Sequence, residues 1–253
     1  AALSRLLVEK GRVPVLIPTD KSEAARASHA QLLRYRAEAT VVLSGMPSRS
    51  FLDLAQRNGQ PIIAVGRNEE GPDHIRLDNT RAAETAVRVF AARGFRRIGL
   101  ITSNVGSPNL VEREQAYVRH AREAGLEVAV ARAERTDYEG GGLSASLLLA
   151  GPDKIEGVFC VNDLMAFGLM DYARNMLGLS IPGDLSVIGF DDVPEARWGA
   201  YRLTTFQQNA ERLAAEIVAV LERRLATPTV PPIVATLDLP LVTRDTVAPI
   251  AAG

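Results

Sequence analysis

Side chains capable of chemistry recur at one kind of place in this 253-residue chain, just after a short apolar run. Arg113 follows Arg97–Thr102 after the connection Ser103–Asn109, in the first turn of a helical pattern. Thr136-Asp137-Tyr138 follow Glu127–Ala131, and Asn162-Asp163 follow Gly157–Val161. Asp191-Asp192 follow Leu185–Phe190, and Gln207-Gln208 follow Leu203–Phe206. A guanidinium, a phenol, amides and carboxylates gathered this way suit a polyhydroxylated small molecule. They offer planar donors, acceptors and an aromatic face. Adjacent carboxylates point in different directions from an extended chain, so Asp191-Asp192 do not form a glycosidase-type acid/base pair.

Each residue also has a plainer role. Arg113 has Glu112 and Glu114 beside it, but helical neighbours one apart do not face each other. Asn162 or Asp163 can cap the helix that follows, which leaves Asn162 for a ligand if Asp163 does the capping. Tyr138 stands at a Gly-rich turn where an exposed tyrosine is common, and Trp198 either covers a cleft or packs on its own lobe. Gly140-Gly141-Gly142 at a helix start raises phosphate cradling, but no P-loop or dinucleotide spacing accompanies it. Cys160 reads as a small core residue in an apolar strand.

The elements that must position these residues alternate. Strands are expected at Val13–Ile17, Thr40–Leu43, Pro61–Val65, Arg97–Thr102, Glu127–Ala131, Gly157–Val161, Leu185–Phe190 and Leu203–Phe206. Helices are expected at Ser22–Arg36, Ser48–Asn58, Thr80–Arg93, Leu110–Ala124, Gly140–Ala150, Asp163–Leu177 and Asn209–Leu225. A last strand is read over Val234–Val242, after a Pro-rich loop at Thr227–Pro232. Nearly continuous apolar strands suit parallel sheets buried on both faces, and alternating βα units imply right-handed crossovers. In such sheets ligands sit outside the carboxyl ends of the strands, where the polar residues fall.

Composition narrows the classes. At about 150 residues per domain the length corresponds to roughly 1.7 domains. One cysteine excludes an internal disulfide framework and a cysteine-based zinc site, and three dispersed histidines exclude a His-rich cluster. A net charge of −1 gives no basic excess for nucleic acid within these residues. There is no apolar stretch of 18 residues, and Ala1–Leu7 has no signal-peptide pattern. It reads as a helix already under way, and the natural protein is inferred to begin further upstream. No catalytic residue, metal or cofactor is implied, and a nucleophile-elbow Gly-x-Ser-x-Gly is absent.

Two signatures then become specific. One is Gly157-Val158-Phe159-Cys160-Val161-Asn162-Asp163-Leu164-Met165-Ala166-Phe167-Gly168. The other runs Leu179-Ser180-Ile181-Pro182-Gly183-Asp184-Leu185-Ser186-Val187-Ile188-Gly189-Phe190-Asp191-Asp192, followed by Leu203-Thr204-Thr205. Ile75–Asn79 and Arg93–Ile101 are weaker companions. Together they resemble the effector-binding core of the lactose/galactose repressor (LacI/GalR) family of bacterial transcription regulators, over essentially the whole chain.

The resemblance implies an α/β, two-lobed fold of the type I periplasmic-binding-protein kind, each lobe a parallel sheet flanked by helices. Three crossings are expected, near Leu77-Asp78, Phe206–Asn209 and Leu237–Leu239. The N-terminal lobe would be 1–77 plus 208–237, without its first strand. The C-terminal lobe would be 78–207 plus 238–253. The family's helix-turn-helix and hinge helix are not in this sequence.

By the same resemblance Arg113, Asn162 and Asp191 match effector contacts, Tyr138 a stacking aromatic and Gln208 a polar contact near the second crossing. Trp198 completes the candidate ligand-binding set. Ala116, Gly66 and Ala39-Thr40 depart from the family pattern. The expected protein is a cytoplasmic homodimeric repressor, not an enzyme and not membrane-bound. It senses a sugar or sugar-like effector between its lobes and meets operator DNA through the missing domain. Leu3 and Leu6-Leu7 are candidates for the dimer interface. The alternative is a periplasmic sugar-binding protein of a transport system.

Overall fold

The computed structural model describes residues 1–16, 37–43, 49–66, 71–151 and 153–250. The chain divides into two compact units, Ala1–Leu77 with Asn209–Leu237, and Asp78–Gln208 with Asp238–Gly253. Gln208 therefore goes with the second unit, one residue away from the expected boundary.

The first unit carries a parallel sheet of β1 (Thr40–Val42), β2 (Ile62–Val65), β3 (Asp73–Leu77) and β9 (Val234–Leu237), in that order. Its helices are α1 (Ala2–Glu9), α2 (Arg49–Arg57) and α7 (Ala210–Ala226). Helix α1 packs on α7, leaving Leu3, Leu6 and Leu7 half-buried. The carboxylate of Asp73 pairs with Arg224 (Oδ2 to Nε 2.8 Å, Oδ1 to Nη2 2.6 Å). Arg224 also donates to the carbonyls of Pro228 and Val230, which anchors the Pro-rich loop.

The second unit has a six-stranded sheet in the order β10-β8-β7-β6-β4-β5. Its strands are β4 (Arg97–Ser103), β5 (Glu127–Ala133), β6 (Gly157–Cys160), β7 (Ser186–Asp191), β8 (Thr204–Gln207) and β10 (Leu241–Val242). All neighbours are parallel except β10, which runs antiparallel to β8. Four helices accompany them, α3 (Asn79–Ala91), α4 (Pro108–Glu123), α5 (Tyr138–Leu149) and α6 (Asp163–Leu177). They pack as two pairs, α3 with α4 and α5 with α6.

The pairs lie on opposite faces of the sheet. A methyl on Gly157 would meet Phe90 of α3 at 2.7 Å, and one on Gly99 would meet Leu148 of α5 at 2.7 Å. Ile98 is in register with Gly157, and Gly99 with Val158, so the two glycines face opposite ways. The core between the layers holds Phe90, Tyr117, Phe159, Phe190 and Phe206, all buried.

Local signals account for the element ends. Gly125 takes φ 73° just past α4, the left-handed stop expected of a helix C-terminus. The triglycine in α5 has a packing role. A methyl on Gly141 would meet Met165 Cα at 2.6 Å, and one on Gly168 would meet Gly142 N at 2.7 Å. Absent side chains let α5 and α6 approach backbone to backbone.

Several expectations are corrected. Residues 13–16 carry no strand, and Ile17 lies outside the described residues. The expected helix at Ser22–Arg36 also lies outside them. Strand β3 was not anticipated, because Asp73-His74-Ile75-Arg76-Leu77 reads as polar. The final strand divides into β9 and β10, one in each unit, with Asp238–Pro240 between them. Proline cannot donate to a ladder, so Pro240 is a natural end for the pairing.

Candidate functional site

The second unit gathers polar side chains at the carboxyl ends of its strands. Arg113, on the second turn of α4, is buried at 3% exposure. Its Nε and Nη2 both donate to Asn79 Oδ1, at 3.2 and 2.9 Å, and Nη1 donates to the Val161 carbonyl. The guanidinium lies over the Phe190 ring, with Cζ 3.1 Å from the centroid. Three of its five N–H groups are thus held, and among the described residues the other two meet no protein acceptor. Burial lowers its pKa to about 9, while Asp191 and Glu112 pull it up. At neutral pH it is a cation.

Asn79 is the hub beneath it. It opens α3 directly after Asp78, whose side chain caps the helix by accepting from the Arg81 N–H at 3.0 Å. Asn79 Nδ2 donates to Asn109 Oδ1 at 3.2 Å and to Glu112 Oε2 at 3.0 Å. The amide therefore joins α3 to α4 and fixes the plane of Arg113. Sequence reasoning placed Asn79 at the end of the weaker Ile75–Asn79 stretch and gave it no role in a site. With β3 unrecognised, its position after a strand end was not visible.

Asp191 leaves β7 with φ 122° and Asp192 follows with φ 57°. Gln208 donates twice to Asp191, from Nε2 to Oδ1 at 2.5 Å and from its backbone N–H to the carbonyl at 3.1 Å. Among the described residues Asp191 Oδ2 receives no protein hydrogen bond, which leaves an acceptor open. Burial pushes this carboxyl up to about 6, against the lowering effects of Arg113 and Gln208. Asp192 turns elsewhere, accepting from Arg244 Nη2 at 2.5 Å and Gln207 Nε2 at 2.7 Å.

Asn162 is half-buried at the head of α6. Its Oδ1 accepts from the Met165 N–H at 2.9 Å and its Nδ2 donates to the Thr136 carbonyl at 3.1 Å. Asn162, not Asp163, is the cap, which reverses the arrangement expected for a ligand-contacting Asn162. One hydrogen and one lone pair of the amide remain. Asp163 is fully buried, taking the Thr205 hydroxyl at 2.6 Å and the Val193 N–H at 2.9 Å. Burial raises its carboxyl to about 7, with Asp191 and Asp192 pushing the same way.

Arg113 and Asp191 are thus close enough to shift one another's ionisation, and Asp191 is bonded to Gln208. Tyr138 is not joined to them. It is 42% exposed, and its hydroxyl donates to Asp171 Oδ2 on α6 at 2.8 Å, an oxygen shared with Tyr201 at 2.9 Å. Trp198 is 56% exposed, at the end of a short 3-10 turn over Pro194–Arg197, and among the described residues its ring makes no hydrogen bond or stacking contact with the cluster's side chains. Among the described residues no group of His, Cys, Asp and Glu is arranged to hold a metal, and no helix is long and apolar enough to cross a membrane.

The fold and the strand-end cluster define a periplasmic-binding-protein-like domain, and a family of that description matches residues 87–247. The chain belongs to the LacI/GalR family, of which it is the effector-binding core. It is 34% identical over 173 residues to the HTH-type transcriptional repressor CytR of Escherichia coli (strain K12), 66% of this chain and 50% of that protein. It is 30% identical over 190 residues to the HTH-type transcriptional regulator GalR of the same strain, 74% of this chain and 55% of that protein.

Among solved structures, a LacI family regulator from Enterococcus faecium with bound ribose has a TM-score of 0.86 at 22% identity. That match covers 99% of this chain and 92% of the other, and it speaks to fold alone. A LacI transcriptional regulator from a Rhodococcus species gives 0.86 at 25% identity, covering 99% and 93%. The chain spans about half the length of the curated relatives it matches.

Proposed function

We propose that this chain senses a polyhydroxylated small molecule, a sugar or sugar derivative, for a ligand-responsive transcriptional repressor that works in the cytoplasm. The observation that carries the reading is a buried, fixed Arg113 within electrostatic reach of an Asp191 carboxylate that keeps an open acceptor. Together they present directed donors and an acceptor to vicinal hydroxyls, with Asn162 and Gln208 adding amide contacts. Tyr138 and Trp198 remain candidates for contacts made when an effector is bound. Relatives named as HTH-type regulators support the repressor reading over a transport-system binding protein.

Operator DNA is met by a helix-turn-helix outside these residues. An effector changes operator affinity only if it prefers one conformation of the core, and operator DNA then shifts effector affinity by the same factor. A homodimer reads a two-fold operator. In the second unit Leu143 and Leu147, one turn apart on α5 and 61% and 65% exposed, offer an apolar face for it. Sedimentation at micromolar concentration is expected to report a dimer, and a monomer contradicts that part.

The effector reading is tested by thermal shift over sugars, sugar acids, polyols, nucleosides and nucleobases. Binding to the folded state alone raises the melting temperature by mass action. One polyhydroxylated class is expected to do so, and silence across every hydroxylated ligand contradicts the proposal.

A further inference from the structure

Among the described residues three other than glycine hold a clearly positive φ, Asp191 at 122°, Asp192 at 57° and Arg202 at 42°. All belong to the connection from the end of β7 to the start of β8. L side chains rarely adopt such conformations, and they persist only where surrounding structure imposes them. Besides Gln207 on Asp192 and Gln208 on Asp191, one dipeptide from the far end of the chain braces this connection.

Arg244 Nη2 pairs with Asp192 Oδ1 at 2.5 Å, and Nη1 donates to the Leu203 carbonyl at 2.6 Å. The pair is enclosed, the Asp192 side chain being 2% exposed and that of Arg244 12%. The next residue, Asp245, pairs with Arg202, and its N–H donates to the Arg202 carbonyl at 2.9 Å. The dipeptide is itself seated on the sheet. The Arg244 N–H donates to Thr204 Oγ1 at 2.9 Å. Thr246 Oγ1 accepts from the Thr204 N–H at 2.9 Å, and its carbonyl accepts from the Val187 N–H at 2.7 Å.

We infer that Arg244 is a positioning residue for the candidate effector site. By holding Asp192 in its left-handed conformation, it aims the preceding Asp191 at Gln208 and Arg113. The enclosed fork to Asp192 and Leu203 does this work, while the exposed Arg202–Asp245 pair secures only the far side of the connection. The consequence for effector binding rests on the reading of Asp191 as an effector carboxylate. The positioning itself does not, and it is tested without any ligand.

The test is amide hydrogen exchange on the full chain, comparing the Gln208 N–H, bonded to Asp191, with the Val187 and Thr204 N–H groups, bonded to Thr246. Arg244→Ala is expected to speed exchange at Gln208 on the order of tenfold, the ratio that left-handed strain of this kind represents. Val187 and Thr204 are expected to keep their rates. Asn tolerates the left-handed region, so adding Asp192→Asn to Arg244→Ala is expected to restore Gln208 protection.

Should Arg244→Ala not fold, the comparison moves to the chain with Arg244 in place. There Asp192→Ala loses Gln208 protection and Asp192→Asn keeps it. Unchanged exchange at Gln208 overturns the inference. So does equal acceleration at all three amides, which marks general loosening, or failure of the Asp192→Asn rescue.

Discussion

Gln208 holds Asp191 by two bonds at once, its side-chain amide on Oδ1 at 2.5 Å and its backbone N–H on the carbonyl at 3.1 Å. Gln208 is also the last residue of the second unit before the chain passes to Asn209 in the first. The carboxylate proposed to receive a ligand is therefore fastened to a segment where the chain changes units.

If Asp191 is the effector carboxylate proposed above, effector binding is expected to depend on pH. In the proposed site effector hydroxyls would donate to this carboxylate, so binding would require the ionised form, and burial has raised that group to about 6. Affinity is expected to be flat above about pH 7 and to weaken below 6, approaching tenfold per pH unit. Titration calorimetry between pH 5 and 8 with the ligand from the thermal-shift panel measures it. Asp163→Asn is expected to leave this acid limb in place, and a pH-independent affinity contradicts the account.

Asn79 orients Arg113 without itself carrying charge. Asn79→Ala leaves the guanidinium without the acceptor it bonds twice, a loss on the order of 1–3 kcal/mol for a buried, charged donor. The expected outcome is a destabilised second unit together with at least tenfold weaker effector binding. Arg113→Lys is expected to weaken binding as well, because an ammonium cannot reproduce the fork. Chemical denaturation and titration calorimetry on each variant report the two effects, and unaltered affinity in Asn79→Ala would release Asn79 from the site.

Asp163 sets a different pH dependence, that of stability. Its folded-state pKa of about 7 lies above the ordinary carboxylate range, so the protonated form is the one the fold favours. That contribution is complete below about pH 4 and is lost as pH rises through about 7. Wild type is therefore expected to lose stability relative to Asp163→Asn between pH 4 and 8, by a few kcal/mol at most. Urea unfolding of both proteins across that range measures the difference. A constant gap between them shows that Asp163 does not titrate there.

What the sequence made legible depended on where burial was compensated locally. The strands and helices of the second unit follow apolar runs, and α6 was anticipated at Asp163–Leu177, as observed. Strand β3 was missed because Asp73 and His74 break the apolar pattern. Asp73 is tolerable there only because Arg224, 151 residues later, neutralises it. Position after a strand end was enough to single out Arg113, Asp191 and Gln208. The sequence left the cap open between Asn162 and Asp163, since both residue types cap helices and only the tertiary donors Thr205 and Val193 decide between them. Arg244 carries no local signal, its partner Asp192 lying 52 residues earlier.

The most direct test of the central claim is thermal shift of wild type and Asp191→Ala side by side, over the same panel of hydroxylated ligands. The account predicts that a ligand stabilising wild type leaves Asp191→Ala unshifted, while the two ligand-free proteins melt as equally cooperative folds. A full shift retained in Asp191→Ala would remove Asp191, and with it the proposed effector site, from the function of this chain.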